Sequence, residues 1–313
     1  MTGYIIRRVL ATIPVLLVVA LVVFALIRFA PGDPAAIIAG QEATQEEVEG
    51  LRRQLGLDRP LPIQLGIWFR DILRGDLGQS ILSKHEVSEL IVQRVVPTLS
   101  LAIFTEIFAL VVAIPIGVLA AWKANSWIDR AVMVLATLGF SIPVFWLGFI
   151  LIFFFAVKIP LFPAAGYIAP SEDFVSYLHR LALPSLATGV IIMALIARMT
   201  RATVLETLRE DYVRTARSKG LSENLVLIRH ALRNAALPII TVIGLGVAAL
   251  LSGLVVTESV FGIPGLGRLL LNAIVSRDYP IIQGTILIIS VVYVIVNLLV
   301  DISYAFFDPR VRY

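Results

Sequence analysis

The chain has no cysteine and only three histidines among its 313 residues. A disulfide framework and a thiolate metal site are therefore excluded, and nothing suggests a dedicated histidine cluster. Charge is also scarce: Asp, Glu, Lys and Arg make up 15% of the residues, against 58% hydrophobic ones. A soluble domain of this size needs more polar surface, so the composition points to a membrane. No Gly-Lys dipeptide occurs, which removes the phosphate-binding loop and with it an ATPase of the chain's own. His85-Glu86 has no second histidine four residues on, there is no Gly-x-Ser-x-Gly elbow, and no paired aspartates lie inside an apolar run. The net charge of +4 is small, and its distribution matters more than its sum.

What fills the chain is apolar runs: Val9 to Ile27, Pro97 to Ala121, Ala131 to Val157, Leu181 to Ala197, Asn234 to Thr257 and Tyr279 to Val300. Arg7-Arg8 before the first run also suits a cleaved signal peptide. The run reaches the roughly 20 residues that a ~30 Å hydrocarbon core requires. PGDPAAIIAG after it offers no early cleavage site, so a retained first span is expected. Six spans predict an all-α integral membrane protein with both termini in the cytoplasm. The inner connections would then hold Lys123 and Arg130 in one, and in the other Arg198, Arg201, Arg209, Arg214, Arg217, Lys219, Arg229 and Arg233 against four acids. The short outer connections, Lys158 to Arg180 and Glu258 to Asp278, are each balanced, as the positive-inside rule requires.

Three regions follow: residues 1–30 with the first span, a polar segment over 31–96, and a five-span core over 97–313 with a long inner loop at 198–236. In the polar segment, Thr44 to Glu47 reads as a capping box with Val48, Leu51 and Leu55 on one face. A helix starting at Pro62 would present Leu65, Phe69 and Leu73. Arg74 to Gly78 is a turn, and Ser83 to Glu86 reads as a second capping box. The span count puts this segment outside, either as a cap where a solute-binding protein docks or as a spacer on the membrane face.

Within the spans, Gly246, Ala249 and Gly253 lie on nearly one face beside Gly244 and Ser252. Small residues allow close helix approach in lipid, so this is a helix-packing face, a pathway-lining face, or both at a subunit seam. Glu106 lies about two turns into the second span, where ionisable groups face protein or water. It reads either as a hydrogen-bonded structural carboxyl or as a relay or substrate contact. Arg28 and Asp301 fall at span ends and are expected to reach the interface. Pro115, Pro143 and Pro184 interrupt or begin spans. Gly262, Pro264, Gly265 and Gly267 predict an outer turn before a short helix around Leu269 to Ile274.

The stretch organising all this is Thr203 to Pro238. Leu205, Leu208, Tyr212, Val213 and Ala216 recur at helical steps, Gly220 after Lys219 marks a left-handed ending, and Ser222 is placed to cap a second helix. That second helix would turn Leu225, Ile228 and Leu232 inward. The expected product is a basic helix–glycine–helix elbow.

YVRTARSKGL followed by HALRNAALP resembles the coupling loop of bacterial ATP-binding-cassette importer permeases, in the dipeptide, oligopeptide and nickel branch. Arg214, Thr215 and Ala216 stand where the wider family has Glu-Ala-Ala, and Gly220 and Leu237-Pro238 supply the later landmarks. The replaced Glu and first Ala, and the long interval from glycine to proline, are similar to the peptide branch. PGDP at Pro31 to Pro34, GDLG at Gly75 to Gly78 and the segment from Glu258 to Asp278 extend the resemblance over nearly the whole chain. It implies a type I importer-like transmembrane domain in the bacterial inner membrane, with the loop docked on a separate ATPase through Asp211, Tyr212, Arg214, Thr215, Ala216, Lys219 and Gly220. The implied partners are a second, homologous permease, two ATPases carrying ATP and Mg, and an extracytoplasmic solute-binding protein. The expected substrates are di- or oligopeptides, with nickel as the alternative. This chain would bind no cofactor and would contact lipid rather than nucleic acid. A secondary carrier would need inverted repeats and midplane charges; a structural anchor would bind partners without moving solute.

Overall fold

A computed structural model describes residues 2–29, 34–40, 43–54 and 56–307. Pro31, Gly32 and Asp33 of the PGDP motif, Leu55 and the basic tail from Asp308 to Tyr313 lie outside the described residues, as do the side chains of Arg28 and Ser252. Among the described residues the protein is helical, and its one pair of bridged extended residues is Gln79 with Glu86.

Among the described residues, five helices are long and apolar enough to cross a membrane: those containing Ile5–Leu26, Val87–Trp122, Phe174–Thr207, Glu223–Leu250 and Tyr279–Ser303. A sixth span requires two helices, Trp127–Ser141 and Val144–Lys158, which meet at a bend of 100°. The run from Ala131 to Val157 is thus one apolar stretch but not one rod. Pro143 causes the break: Ile142 before it is extended (φ −84°, ψ 125°), the conformation a following proline imposes. Pro115 and Pro184 instead lie inside unbroken helices.

The contacts divide the chain into two compact units. The first comprises Met1–Leu10, Val96–Arg268 and Tyr293–Tyr313. Its core is built on Leu101, Leu181, Ile196, Leu250, Leu254 and Phe261, each 2% exposed or less. Helices approach closely there: a Cβ on Gly117 would stand 2.7 Å from the Ala197 carbonyl oxygen, and one on Gly244 2.7 Å from the Val300 side chain. These are small-residue seams of the kind that substitute for a hydrophobic drive in lipid. At the end of its span the Asp301 carboxylate pairs with Arg8.

The second unit comprises Ala11–Val95 and Leu269–Val292. The Thr44 capping box forms as drawn: Glu47 accepts the Thr44 N–H at 2.8 Å, and Thr44 Oγ1 accepts the Glu47 N–H at 3.4 Å. The Thr44 N–H and, at 3.0 Å, the Thr44 hydroxyl donate to the Glu47 carboxylate and hold it below its ordinary pKa. The next helix is Leu61–Leu73, and the Phe24 and Trp68 rings meet at 5.5 Å. Ser83 and Glu86 do not form a capping box. The Val87–Trp122 helix begins one residue past Glu86, and the Val87 N–H is taken by the Gly78 carbonyl at 3.0 Å. Asp278 holds that loop instead, accepting the Ser80 hydroxyl at 2.6 Å.

Candidate coupling site

The elbow is assembled from two short helices rather than one long one. The Phe174–Thr207 helix stops before Arg209 and Glu210, and Glu210 is extended (φ −67°, ψ 147°). The helix expected from Leu205 through Ala216 is therefore broken. A new one, Asp211–Ser218, starts with Asp211 in its first turn, where the helix dipole favours an anion. It ends in the left-handed corner read from the sequence. Gly220 has φ +78°, its N–H meets the Arg217 carbonyl at 2.9 Å, and nothing lies within 4 Å of where its Cβ would be. Glycine is required by conformation, not by space.

Beyond the corner, the chain runs through Glu223–Leu225, π-helical turns over Val226–Leu232 and Arg233–Val260. Ser222 occupies the position before the first of these, but its side chain makes no cap. The wider π turn displaces the inward face. Val226, Leu227 and Ala231 are the buried residues, while Leu225 and Ile228 are 39% and 66% exposed. The inward face expected at Leu225 and Ile228 is thus corrected by about one residue. Val213, Ala216 and Val226 pack together with Leu208 and Leu221, closing the elbow on a small core. A bidentate pair, Arg217 to Glu223 at 2.9 and 3.2 Å, spans the corner.

The structure leaves six of the seven predicted docking residues exposed on the elbow: Asp211, Tyr212, Arg214, Thr215, Lys219 and Gly220. Ala216 lies beneath them and is 6% exposed. Asp211 and Arg214 pair at 3.2 Å on open surface. Partial burial raises the Tyr212 hydroxyl pKa, opposed by a hydrogen bond with Asn234. Beside this surface a polar hollow of about 400 Å³ is lined by Arg201, Glu206, Arg209, Glu210 and Asp211.

One supporting pair has no counterpart in the sequence reading. Arg201 donates to both carboxylate oxygens of Asp129, at 3.0 and 2.8 Å, and the Asn125 N–H completes that carboxylate at 2.9 Å. It ties the connection after Trp122 to the helix that leads into the elbow. The chain does carry a local trace of it. Ser126 precedes Asp129 at the spacing of a helix cap, and the structure realises that cap at 3.4 Å.

The remaining site residues are separate from the elbow. On the stripe, a Cβ at Gly246 would meet Ile192 at 3.3 Å, whereas Gly253 faces open space and Ala249 is exposed. Of these three, Gly246 alone is a packing contact within the chain. The Glu106 carboxylate oxygens are enclosed and have no hydrogen-bond partner among the described residues. A hydrogen-bonded structural carboxyl is therefore not formed there within the chain. Among the described residues no three metal-ligating side chains gather at one point.

Residues 113–313 match the family model described as binding-protein-dependent transport system inner membrane component, and residues 1–102 match the model for its N-terminal part. The chain is 46% identical over 310 residues to a probable peptide ABC transporter permease protein of Sinorhizobium fredii, covering 99% of each chain. It is 39% identical over 333 residues to the dipeptide transport system permease protein DppB of Alkalihalophilus pseudofirmus, and 43% identical over 313 residues to the glutathione transport system permease protein GsiC of Pectobacterium atrosepticum, covering 100% of both chains in each comparison. Among solved structures, an inward-facing MetNI methionine ABC transporter aligns with a TM-score of 0.58 at 20% identity, over 70% of this chain and 96% of that one. That likeness concerns the fold alone. With apolar spans, an exposed basic elbow and full-length relatives in agreement, this chain belongs to the binding-protein-dependent transport family and is a multi-pass ABC permease component of a bacterial inner membrane.

Proposed function

We propose that this permease is one of two related membrane subunits of an importer for di- or oligopeptides, driven by ATP bound with Mg on two separate ATPase subunits. The observation that carries the reading is the elbow. Its polar face is exposed, its apolar side is packed on Val213, Ala216 and Val226, and it runs without a break into the Arg233–Val260 helix. Such an element can receive a push from another protein and deliver it to the spans. Relatives named for peptides, dipeptides and glutathione support the substrate class.

In this arrangement both termini and the elbow are cytoplasmic, and an extracytoplasmic solute-binding protein delivers substrate. ATP-driven closure of the partner ATPases shifts the population between inward-open and outward-open arrangements. Reconstitution of the complete set of subunits in vesicles tests this. Uptake of a labelled dipeptide that needs ATP, the ATPases and the binding protein is the expected result. Uptake driven by an ion gradient without ATPases would identify a secondary carrier, ATP-dependent uptake of nickel but not peptide would reassign the substrate, and no flux at all would leave a structural anchor.

A further inference from the structure

The helix that begins at the elbow ends on a second polar fastening, some distance from any charge used for docking. Glu258 lies in the last turn of Arg233–Val260 and is 0% exposed. One carboxylate oxygen accepts the Thr98 hydroxyl at 2.6 Å, and the other accepts the Arg268 N–H at 2.8 Å. Thr98 Oγ1 in turn accepts the Leu266 N–H at 2.8 Å. Thr98 belongs to the Val87–Trp122 helix, so one carboxylate binds two spans and the turn after Val260 into a single knot.

The glycines of that turn are fitted to the carboxylate. A methyl group at Gly265 would land on the Glu258 carboxylate itself. A Cβ at Gly267 would stand 2.7 Å from Val255 Cα and 3.0 Å from Glu258 Oε2. Gly267 lies inside the Leu266–Ser276 helix, contrary to the expectation that it stays in the turn, and a glycine is required there by the close approach to Val255 and Glu258. Burial makes leaving the Glu258 hydrogen bonds unmade costly.

We propose that Glu258 and Thr98 form a clasp that positions the far end of the elbow's helix for transport. From Arg233 to Glu258 is 25 residues of helix, about 37 Å at 1.5 Å per residue. A displacement entering at the elbow reaches the clasp along that helix, and the clasp obliges the Val87–Trp122 helix to move with it. The two spans cannot part at this end; they travel as one body. Glu258 is a positioning residue in this scheme, and the scheme rests on the importer reading.

The absence of cysteine makes the test direct. Val96, 52% exposed, and exposed Ser259 accept spin labels through V96C and S259C without touching the clasp. In the complete importer in lipid nanodiscs, the label-to-label distance should be narrow and the same with and without ATP. The T98V variant should broaden it or make it nucleotide-dependent and lower ATP-driven uptake at least tenfold, with basal ATP hydrolysis retained; T98S should restore both. A wild-type distance that changes with nucleotide would overturn the clasp, as would normal coupled uptake by T98V. The wild-type distance needs no clasp variant to fold. Failure of the importer reading registers separately, as a wild-type complex with no ATP-dependent uptake.

Discussion

The Arg217 guanidinium and the Glu223 carboxylate meet across Gly220 in a two-point pair at 2.9 and 3.2 Å. Six residues apart and on different helices, they bridge the two arms of the elbow. The side chains are 40% and 51% exposed, so the pair adds little to stability, under about 1 kcal/mol after solvent screening. The corner's shape rests chiefly on the glycine and on the apolar side chains beneath it.

Replacing Gly220 separates conformation from size. At φ +78° a non-glycine residue costs about 1–2 kcal/mol, and a β-branched one more, although no atom stands in its way. Gly220→Val should leave the spans inserted while abolishing coupled uptake. Gly220→Asn should retain most of it, since asparagine tolerates the left-handed region. Vesicle uptake set against ATP hydrolysis measures both, and normal transport by the valine variant would remove the corner from the transmission path.

Breaking the Asp129–Arg201 pair should be more damaging. The Asp129 side chain is 5% exposed but Arg201 is 26% exposed, and the Asn125 N–H still serves the carboxylate, so Arg201→Ala should cost about 1–3 kcal/mol. Arg201→Lys keeps the charge but loses the two-point geometry, and should fall between wild type and Arg201→Ala. Thermal unfolding in detergent ranks the three; a Tm for Arg201→Ala equal to wild type would show that the pair contributes nothing to stability.

Acid should loosen the start of the Phe174–Thr207 helix. Asp173 caps it, accepting the Ser176 hydroxyl at 2.6 Å and the Val175 N–H at 2.9 Å. The Ser176 bonds hold its carboxyl below its ordinary pKa. A carboxyl lowered by folding contributes stability above its unfolded value, about pH 4, and that contribution disappears as pH falls through the folded value. Hydrogen-exchange protection at Val175 and Ser176, measured against the intrinsic rate at each pH, should therefore fall in acid, and Asp173→Asn should flatten that profile.

Sidedness is open to labelling because the native chain has no thiol. Lys219→Cys, on the exposed surface of the elbow, should react with an impermeant maleimide only from the cytoplasmic side. Reaction from outside intact cells would place the elbow beyond the reach of any ATPase.

Much of this molecule was legible along the chain. The spans follow from hydrophobic run length, and Pro143 breaks the third through its effect on Ile142. The Thr44 box and the Gly220 corner are local, decided by residues within a few positions of one another. The misreadings arose where the backbone departs from a regular helix. Leu225 and Ile228 suit an ordinary helical face, but π turns at Val226–Leu232 widen the spiral and turn Val226 and Leu227 inward instead. Ser83 and Glu86 have capping-box spacing, yet the extended bridge from Gln79 to Glu86 takes their place in the turn.

Hydropathy and glycine placement thus determined that the chain crosses a membrane and where its polar elbow bends, because lipid solvation and backbone sterics act residue by residue. Only packing decided which carboxylates are fastened and to what. Asp129 and Arg201 are 72 positions apart, and Thr98 and Glu258 are 160 apart. No local preference encodes such meetings: they exist once the helices lie side by side and exclude water from the groups between them.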